Sequence, residues 1–254
     1  MQIHPTSVVD PSASIGEGCR IGAYAFIGPE AVIGPDCQID HHASVAAYTT
    51  IGRGGHLWPF AAVGGEPQDL KFGGERSELI IGENVQVREF ATLNRGTHHG
   101  GGVTRVGDNC MFMAYSHVAH DCQIGDHVVM ANGVALAGHV VIEDHVGVGG
   151  LTAVHQFTRI GRHCFIGGTS GVAQDMAPFC LCEGNRAKTH GLNTIGLKRA
   201  GFSDETLAAL KKAYAIVFRT RTPIAKALAQ VEAEVPDLPE VRHFVGFIRA
   251  SERG

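Results

Sequence analysis

The sequence lacks the features that mark several common protein classes. Aromatic residues make up only 7% of the 254 residues, and there is a single tryptophan. The net charge of −4 provides no broad basic surface, so we do not expect nucleic acid to be a partner. No apolar run approaches the roughly 18 residues that a membrane-spanning helix needs, and the first residues do not resemble a secretory leader. These absences predict a protein without a transmembrane segment or a secretion signal.

Cysteine is also sparse and unsuited to a disulfide framework. The seven cysteines are odd in number and irregularly spaced, which is typical of a reducing compartment, and we expect a cytoplasmic protein. Glycine, in contrast, reaches 34 residues, and hydrophobic residues make up 44%. Because glycine accepts the backbone angles that tight turns need, this composition predicts a slim, regular core with many turns.

The dominant feature is an apolar residue at every sixth position. A period of six matches neither a helical face nor one long strand, but it fits three short strands and eighteen residues per coil. The apolar residue and a small residue two places earlier then point inward, and coils stack about 4.8 Å apart. The series comprises Ile3, Val9, Ile15, Ile21, Ile27, Ile33, Ile39, Val45, Ile51, Leu57, Val63, then Ile81, Val87, Leu93, then Val106, Phe112, Val118, Ile124, Met130, Leu136, Ile142, Val148, Val154, Ile160, Ile166 and Val172.

The small inward positions account for most of the cysteines. Free cysteine behaves as a small apolar residue and is commonly buried, so we interpret these thiols as core residues rather than ligands or nucleophiles. Cys180 and Cys182 lie beyond the repeat, and the sequence predicts no role for them. The five inward cysteines are Cys19, Cys37, Cys110, Cys122 and Cys164.

The repeat is interrupted twice and ends before the C-terminus. Residues 65–80 and 97–105 break the pattern, and we expect both to be functional loops, the second without any strand. We predict a mainly β domain over residues 1–189 and a helical domain over residues 190–254. In the second domain Ser203 is a predicted helix cap, and Thr222-Pro223 and Leu238-Pro239 are predicted helix starts.

Several histidines share one corner of the predicted coil. Counting around the eighteen-residue coil places them within a narrow arc although they come from three successive coils. A carboxylate, an amide side chain and a glycine fall in the same arc, which offers a base, an orienting group and amide donors together. The residues are His117, His120, Asp121, Gly138, His139, His155 and Gln156.

A second group of histidines serves as a comparison. His127, His145 and His163 are eighteen residues apart and should form a vertical column. No carboxylate or cysteine ligand is expected to converge with them, so we interpret the column as an exposed ladder of turn residues and not as a metal site.

The corner cluster is suited to general base chemistry. A histidine near its ordinary pKa of about 6.5 accepts a proton at neutral pH. Asp121 follows His120 directly and can orient its imidazole and stabilise the protonated form. With no cysteine free for covalent chemistry, we expect direct attack of a substrate hydroxyl on an activated carbonyl, and the amide of Gly138 can stabilise the oxyanion.

The motifs together resemble the acyl-carrier-protein:UDP-N-acetylglucosamine O-acyltransferases, which start lipid A biosynthesis. The resemblance covers essentially the whole chain, and its most specific part is the combination of the motif at residues 65–71 with the motif at residues 117–122. It implies a left-handed parallel β-helix with a C-terminal helical segment, and a homotrimer with active sites between neighbouring prisms. The motifs are Gly65-Glu66-Pro67-Gln68-Asp69-Leu70-Lys71, Arg95-Gly96-Thr97, His117-Val118-Ala119-His120-Asp121-Cys122, Leu136-Ala137-Gly138-His139, His155-Gln156-Phe157 and Gly196-Leu197-Lys198-Arg199.

The resemblance also implies roles for individual residues. His120 would be the general base on the glucosamine 3-hydroxyl, Asp121 its orienting partner, and Gly138 the oxyanion donor. Gly168 matches a position that limits acyl length, so a long 3-hydroxyacyl chain is expected, delivered as a thioester by acyl carrier protein without a cofactor. Other contacts would come from Asp69, Lys71, His117, His139, His155 and Gln156 to the sugar nucleotide or acyl group, and from Asn193 and Arg199 to the uridine diphosphate.

Two departures from the family pattern bear on nucleotide binding. Ile195 stands where an acidic residue is frequent, and Ala200 stands where a second arginine is frequent. The sequence also leaves alternatives open. One is another hexapeptide acyltransferase for sugar nucleotides, although the later enzymes of the pathway usually carry an N-terminal uridine-binding domain, whereas here the repeat starts at Ile3.

A second alternative is a zinc hydrase similar to the gamma-class carbonic anhydrases. Three histidines and a water form a common catalytic zinc site, and His117, His120 and His139 are the candidate ligands. An ice-binding solenoid is disfavoured because it would need ladders of threonine on a flat face, which this sequence does not have.

Overall fold

The computed structural model describes residues 1–254 and shows a left-handed parallel β-helix followed by four α-helices. The β-helix is a three-sided prism, and the strands on each side pair in parallel with those of the neighbouring coils, except that Lys188–Leu192 folds back antiparallel to Cys180–Glu183. On the first side the strands are β1 (Gln2–Ile3), β4 (Arg20–Ile21), β7 (Gln38–Ile39), β10 (His56–Leu57), β13 (Gln86–Val87), β16 (Met111–Phe112), β19 (Val129–Met130), β22 (Gly147–Val148), β25 (Phe165–Ile166), β27 (Cys180–Glu183) and β28 (Lys188–Leu192).

The other two sides are built in the same way. The second side consists of β2 (Val8–Val9), β5 (Phe26–Ile27), β8 (Ser44–Val45), β11 (Ala62–Gly65), β14 (Thr92–Asn94), β17 (His117–Val118), β20 (Ala135–Leu136), β23 (Ala153–Val154) and β26 (Gly171–Val172). The third side consists of β3 (Ser14–Ile15), β6 (Val32–Ile33), β9 (Thr49–Ile51), β12 (Glu78–Ile81), β15 (Val103–Val106), β18 (Gln123–Ile124), β21 (Val141–Ile142) and β24 (Arg159–Ile160).

The predicted period is the period of the core. Ile3 pairs with Ile21, and Ile21 with Ile39, so the apolar residue of each hexad lies above its equivalent in the coil below. All seven cysteines are buried unpaired thiols, which confirms the interpretation of the five in the repeat as core residues. Cys180 and Cys182 lie in β27 and join the same core, with the Cys182 sulfur 3.8 Å from that of Cys164.

Most corners of the prism are turned by a residue in the left-handed region of backbone space. Asp121, His139 and Phe157 have φ values of 60°, 61° and 63° and lie in three successive coils. Such residues are uncommon outside glycine, and aspartate, asparagine and histidine tolerate this conformation better than most. The corners are therefore where polar side chains are placed in vertical register.

The two interruptions are shorter than predicted. Residues 97–105 were expected to contain no strand, and this is wrong at 103–105, which belong to β15. The loop prediction for 65–80 is likewise wrong at Gly65, the last residue of β11, and at 78–80, which belong to β12. Strands β12 and β15 lengthen to four residues because they pair with each other, Glu78 opposite Val103, and so extend the third side beyond its usual width. The second loop also contains a 3₁₀-helix, His98–Gly100.

The C-terminal part closes the open end of the prism. The helices are α1 (Thr194–Arg199), α2 (Asp204–Phe218), α3 (Ile224–Glu234) and α4 (Pro239–Arg249). Ser203 caps α2 as predicted and accepts a hydrogen bond from the Thr206 amide, whereas Pro223 precedes α3 and only Pro239 is a first helical residue. The domain boundary drawn between residues 189 and 190 falls inside β28, which pairs with β27 of the last coil. None of the helices combines the length and apolarity needed to cross a bilayer.

Candidate active site

The predicted corner cluster forms where the second side of the prism turns into the third. The backbone joins successive coils there, because the His139 amide donates to the His120 carbonyl at 3.0 Å and the Phe157 amide to the Gly138 carbonyl at 3.2 Å. Side chains at equivalent places are therefore stacked along one edge. We call residues 119–121, 137–139 and 155–157 the histidine edge.

His120 and Asp121 form a hydrogen-bonded dyad. The Nδ1–H of His120 donates to Oδ2 of Asp121 at 2.8 Å. The Asp121 side chain is 0% exposed and that of His120 is 13% exposed, so the imidazole lies between the buried carboxylate and the surface. Nε2 of His120 makes no hydrogen bond within the chain. This geometry presents a single ring nitrogen for proton transfer.

Gly138 lies directly against the imidazole of His120. A Cβ at this position would be 2.6 Å from Cε1 and 2.8 Å from Nε2 of the ring, which is far inside van der Waals contact. Only glycine therefore allows the ring to occupy this place. The Gly138 amide N–H donates no hydrogen bond within the chain, so it remains available to a substrate oxygen.

His139 and His117 flank the dyad. The ring of His139 meets that of His120 edge-on at 5.2 Å and stacks on Phe157 at 4.4 Å. Nδ1 of His117 is hydrogen-bonded to the Thr92 hydroxyl at 2.8 Å. Burial is the main cause that lowers the pKa of both histidines, and the positive charge of His120 adds to it; for His139 the carboxylate of Asp121 opposes this lowering but does not cancel it. Both imidazoles are thus held neutral, a state suited to hydrogen bonds with sugar hydroxyls.

The first interrupting loop contributes Asp69 to the same region. Oδ2 of Asp69 is 3.1 Å from Nε2 of His99, a residue of the second loop. The amide of Lys71 donates to Oδ1 of Asp69 at 3.0 Å, and this bond is the main reason that the pKa of Asp69 is lowered. The carboxylate therefore stays ionised beside the histidine edge. Lys71 is exposed, and its ammonium has no ion-pair partner within the chain.

His155 and Gln156 lie on the histidine edge but two coils beyond the dyad. Nδ1 of His155 lies 3.1 Å from Nη1 of Arg253 and 3.1 Å from the carbonyl oxygen of Gln156, and no hydrogen bond joins it to His120 or His139. Gln156 is exposed. The structure therefore brings together His117, His120, Asp121, Gly138 and His139, with Asp69 beside them, and places these two residues next to the group.

The remaining predicted contacts lie on other edges of the same chain. Gly168 is exposed between β25 and β26, where the first side turns into the second. Asn193 caps α1, accepting from the Gly196 amide at 3.1 Å and donating to the His163 carbonyl at 3.0 Å, where the third side turns into the first. Arg199 ends α1 and is exposed. One chain alone does not bring these residues to the dyad.

The comparison column of histidines forms as predicted. The rings of His127 and His145, and of His145 and His163, stack in parallel at 4.6 Å. The first two are exposed, but the expectation of exposure is wrong for His163, which the ring of Phe202 covers at 4.9 Å. Burial lowers the pKa of His163 to about 4.

Sequence reasoning missed several residues of the site. Thr97 and Thr104 contact Asp121, and His99 reaches Asp69. Thr97 and His99 lie in an interruption of the repeat, so the period could not place their side chains. The only signal for Thr97 was its position in the Arg95-Gly96-Thr97 motif.

Comparison with known proteins identifies the family. A model described as UDP-N-acetylglucosamine O-acyltransferase, domain 2, matches residues 175–254, and one for the bacterial transferase hexapeptide (six repeats) matches residues 104–138. The acyl-[acyl-carrier-protein]–UDP-N-acetylglucosamine O-acyltransferase of Anaeromyxobacter dehalogenans strain 2CP-1 is 51% identical over 254 residues, which is 100% of this chain and 99% of the relative. The chain belongs to this acyltransferase family.

Solved structures agree with this assignment. The UDP-N-acetylglucosamine O-acyltransferase of Moraxella catarrhalis RH4 is 40% identical and superposes with a TM-score of 0.97, covering 100% of this chain and 99% of the other. The UDP-N-acetylglucosamine acyltransferase of Bacteroides fragilis 9343 is 38% identical with a TM-score of 0.98, and the coverage is again 100% and 99%. The protein is therefore an acyltransferase with the left-handed β-helix of its family.

Proposed function

We propose that this acyltransferase moves a 3-hydroxyacyl chain from acyl carrier protein to the 3-hydroxyl of UDP-N-acetylglucosamine, the first step of lipid A biosynthesis. The full-length relatives are named for acyl transfer between these two substrates. The observation that supports the mechanism is the His120–Asp121 dyad, with the Nδ1–Oδ2 distance of 2.8 Å and Gly138 packed against the ring.

The dyad performs direct transfer without a covalent intermediate. Nε2 of His120 removes the proton from the sugar hydroxyl while the hydroxyl oxygen attacks the thioester carbonyl carbon. The free amide of Gly138 donates to the oxyanion that develops, and Asp121 stabilises the imidazolium. The carbon–sulfur bond then breaks, and the leaving thiolate takes the proton from His120.

The residues around the dyad supply substrate contacts. Asp69, Lys71, His117 and His139 surround His120 and hold the glucosamine through charge and neutral imidazole hydrogen bonds. We assign contacts with the acyl group or the sugar nucleotide to the remaining residues of the histidine edge, His155 and Gln156.

We further propose that the active unit is a homotrimer with each site between two prisms. Asn193 and Arg199 would contact the uridine diphosphate, and Gly168 would border the acyl chain. These residues lie on edges that one chain keeps apart, and an adjacent prism would bring them to the dyad. An exposed apolar row on the edge of Gly168 supports contact with another copy: Phe60, Phe90, Tyr115 and Leu151.

Two further observations concern the nucleotide contacts and the compartment in which the protein works. Ile195 is exposed in place of a frequent acidic residue, and Ala200 ends α1 without a second guanidinium, so Asn193 and Arg199 carry more of the nucleotide contact. All seven cysteines are unpaired thiols, which is typical of proteins that work in the reducing cytoplasm.

We propose that the reaction uses no metal. His120, Asp121 and His139 offer ligand atoms within 4.8 Å of one another, which is the observation that favours a zinc hydrase. However, both oxygens of Asp121 already accept hydrogen bonds, from the Thr97 amide at 2.9 Å and from its hydroxyl at 2.6 Å. Metal analysis of the purified protein tests this point, because stoichiometric zinc whose removal abolishes activity would support the hydrase.

The proposed function is tested by incubating the protein with UDP-N-acetylglucosamine and a panel of 3-hydroxyacyl carrier thioesters. Mass spectrometry should detect the acylated sugar nucleotide with a long acyl chain. His120→Ala should lower the rate by about 10²–10⁴-fold, the usual contribution of a general base, with an unchanged circular dichroism spectrum. His127→Ala, an exposed histidine outside the site, is the matched control and should retain full activity. A wild-type rate for His120→Ala would show that another group is the base.

A further inference from the structure

The carboxylate of Asp121 is held by the second interrupting loop. The backbone N–H of Thr97 donates to Oδ1 at 2.9 Å, and the Thr97 hydroxyl donates to Oδ2 at 2.6 Å. On the opposite side, the backbone N–H of Asp121 donates to the Thr104 hydroxyl at 2.8 Å. Thr97 and Thr104 are both fully buried. Water therefore does not compete for these bonds.

The hydroxyl of Thr97 and the imidazole of His120 bind the same carboxylate oxygen, Oδ2. The carboxylate is consequently fixed in rotation, with one oxygen aimed at His120 and the other at the loop backbone. Gly100 adds a steric restraint, because a Cβ there would lie 2.1 Å from Oδ2 of Asp121. The loop backbone thus lies directly on the carboxylate and prevents it from turning away.

Hydrogen bonds within the second interrupting loop hold its turn together. The Gly102 amide donates to the Thr97 carbonyl at 2.8 Å, and the Gly100 amide donates to the Thr97 hydroxyl at 3.2 Å. Gly101 and Gly102 have φ values of 100° and 79°, which residues with a side chain rarely adopt, so the glycine run is needed for this turn. The His98 amide further ties the loop to Glu75 of the first loop at 3.2 Å.

We propose that Thr97 is a positioning residue for acyl transfer, acting through Asp121 on His120. Its hydroxyl aims Oδ2 at the imidazole, and the imidazole then presents Nε2 to the substrate hydroxyl. This inference rests on the proposed function of His120 as the base. Because Thr97 is buried behind the dyad and does not reach the substrate, its loss should lower kcat and leave KM nearly unchanged.

The test compares two substitutions at the same position. Thr97→Val keeps the shape and the backbone donor but removes the hydroxyl, and should lower kcat by about 10- to 100-fold, the loss expected for one hydrogen bond to a charged group. KM for UDP-N-acetylglucosamine should change by less than about threefold. Thr97→Ser restores the hydroxyl and should recover most of the rate. Thr220→Val removes a hydroxyl bonded to the Ile216 carbonyl at the end of α2, and should have no effect on kcat.

A double-mutant cycle separates positioning from general loosening of the loop. When Asp121→Asn is already present, adding Thr97→Val should lower kcat by less than about a further threefold. The effects of two substitutions are not additive when one residue acts through the other. Full additivity, or equal losses in Thr97→Val and Thr97→Ser, would overturn the inference. If Thr97→Val turns over at the wild-type rate while His120→Ala is inactive, only the positioning role is wrong. If the wild-type protein forms no product, the proposed function itself is wrong.

Discussion

Gly138→Ala separates the two roles that the structure gives to this residue. The substitution keeps the backbone N–H that would donate to the oxyanion, but it adds a Cβ beside His120. That Cβ would start 2.6 Å from Cε1 of His120, whereas ordinary van der Waals contact begins at 3.4 Å, so the ring has to move by about 0.8 Å. A misplacement of about 1 Å can cost about 10²-fold in rate. We therefore expect kcat to fall by about that factor.

The assay is single-turnover acyl transfer with a saturating 3-hydroxyacyl carrier thioester, so that product release does not mask the chemical step. Gly246→Ala is the matched control, because no atom lies within 4 Å of the added Cβ in α4. This control should keep full activity and gain roughly 0.5–1 kcal/mol in the free energy of unfolding, since alanine is the better helix former. A wild-type rate for Gly138→Ala would show that catalysis does not need the His120 ring in its observed place. Gly138 would then be left with only one role, the donation of its amide N–H to the oxyanion.

Two further predictions address other parts of the molecule. Burial lowers the pKa of His163 to about 4, helped by the positive charges of His145 and Arg162 and opposed by Asp144. Because the pKa of histidine in the unfolded chain is about 6.5, the free energy of unfolding should fall as the pH drops from about 6.5 to 4. His163→Phe keeps the ring stacking, and urea titrations at several pH values should show that the free energy of unfolding depends less on pH than in the wild type. An equal pH dependence in the two proteins would contradict the assignment of this effect to His163. Gly168→Met should shift the preferred donor toward shorter acyl chains, and an unchanged product profile in mass spectrometry would exclude Gly168 from the acyl site.

Much of the β-helix could be predicted because its period is an integer. Eighteen residues return the chain to the same place, so Ile21 had to lie above Ile3 and Cys19 had to be buried. The hand of the coil could not be obtained this way, because left-handed and right-handed windings bury the same residues. The burial of His163 was also out of reach, since Phe202 covers it from a helical segment that has a different period.

The site was predictable to the extent that it follows the same period. His120 and Gly138 are eighteen residues apart, as are Asp121 and His139, and the structure places each pair in vertical contact. Residues two coils away from the dyad, such as His155, share the edge but not the contact. The position of Thr97 depends on where a loop folds back, and no periodic pattern carries that information.

The spacing of the coils limits the hydrogen bonds that stacked side chains can give to the dyad. Strands in neighbouring coils lie about 4.8 Å apart, so equivalent side chains bond to each other only where they lean together, as Thr92 and His117 do at 2.8 Å. The rings of His127 and His145 are 4.6 Å apart, and Nε2 of His139 remains 3.8 Å from Oδ2 of Asp121. The carboxylate of Asp121 takes its hydrogen bonds from the adjacent residue in the same coil and from a residue outside the repeat. His120 provides the first kind of bond, and Thr97, delivered by the interruption of the repeat, provides the second.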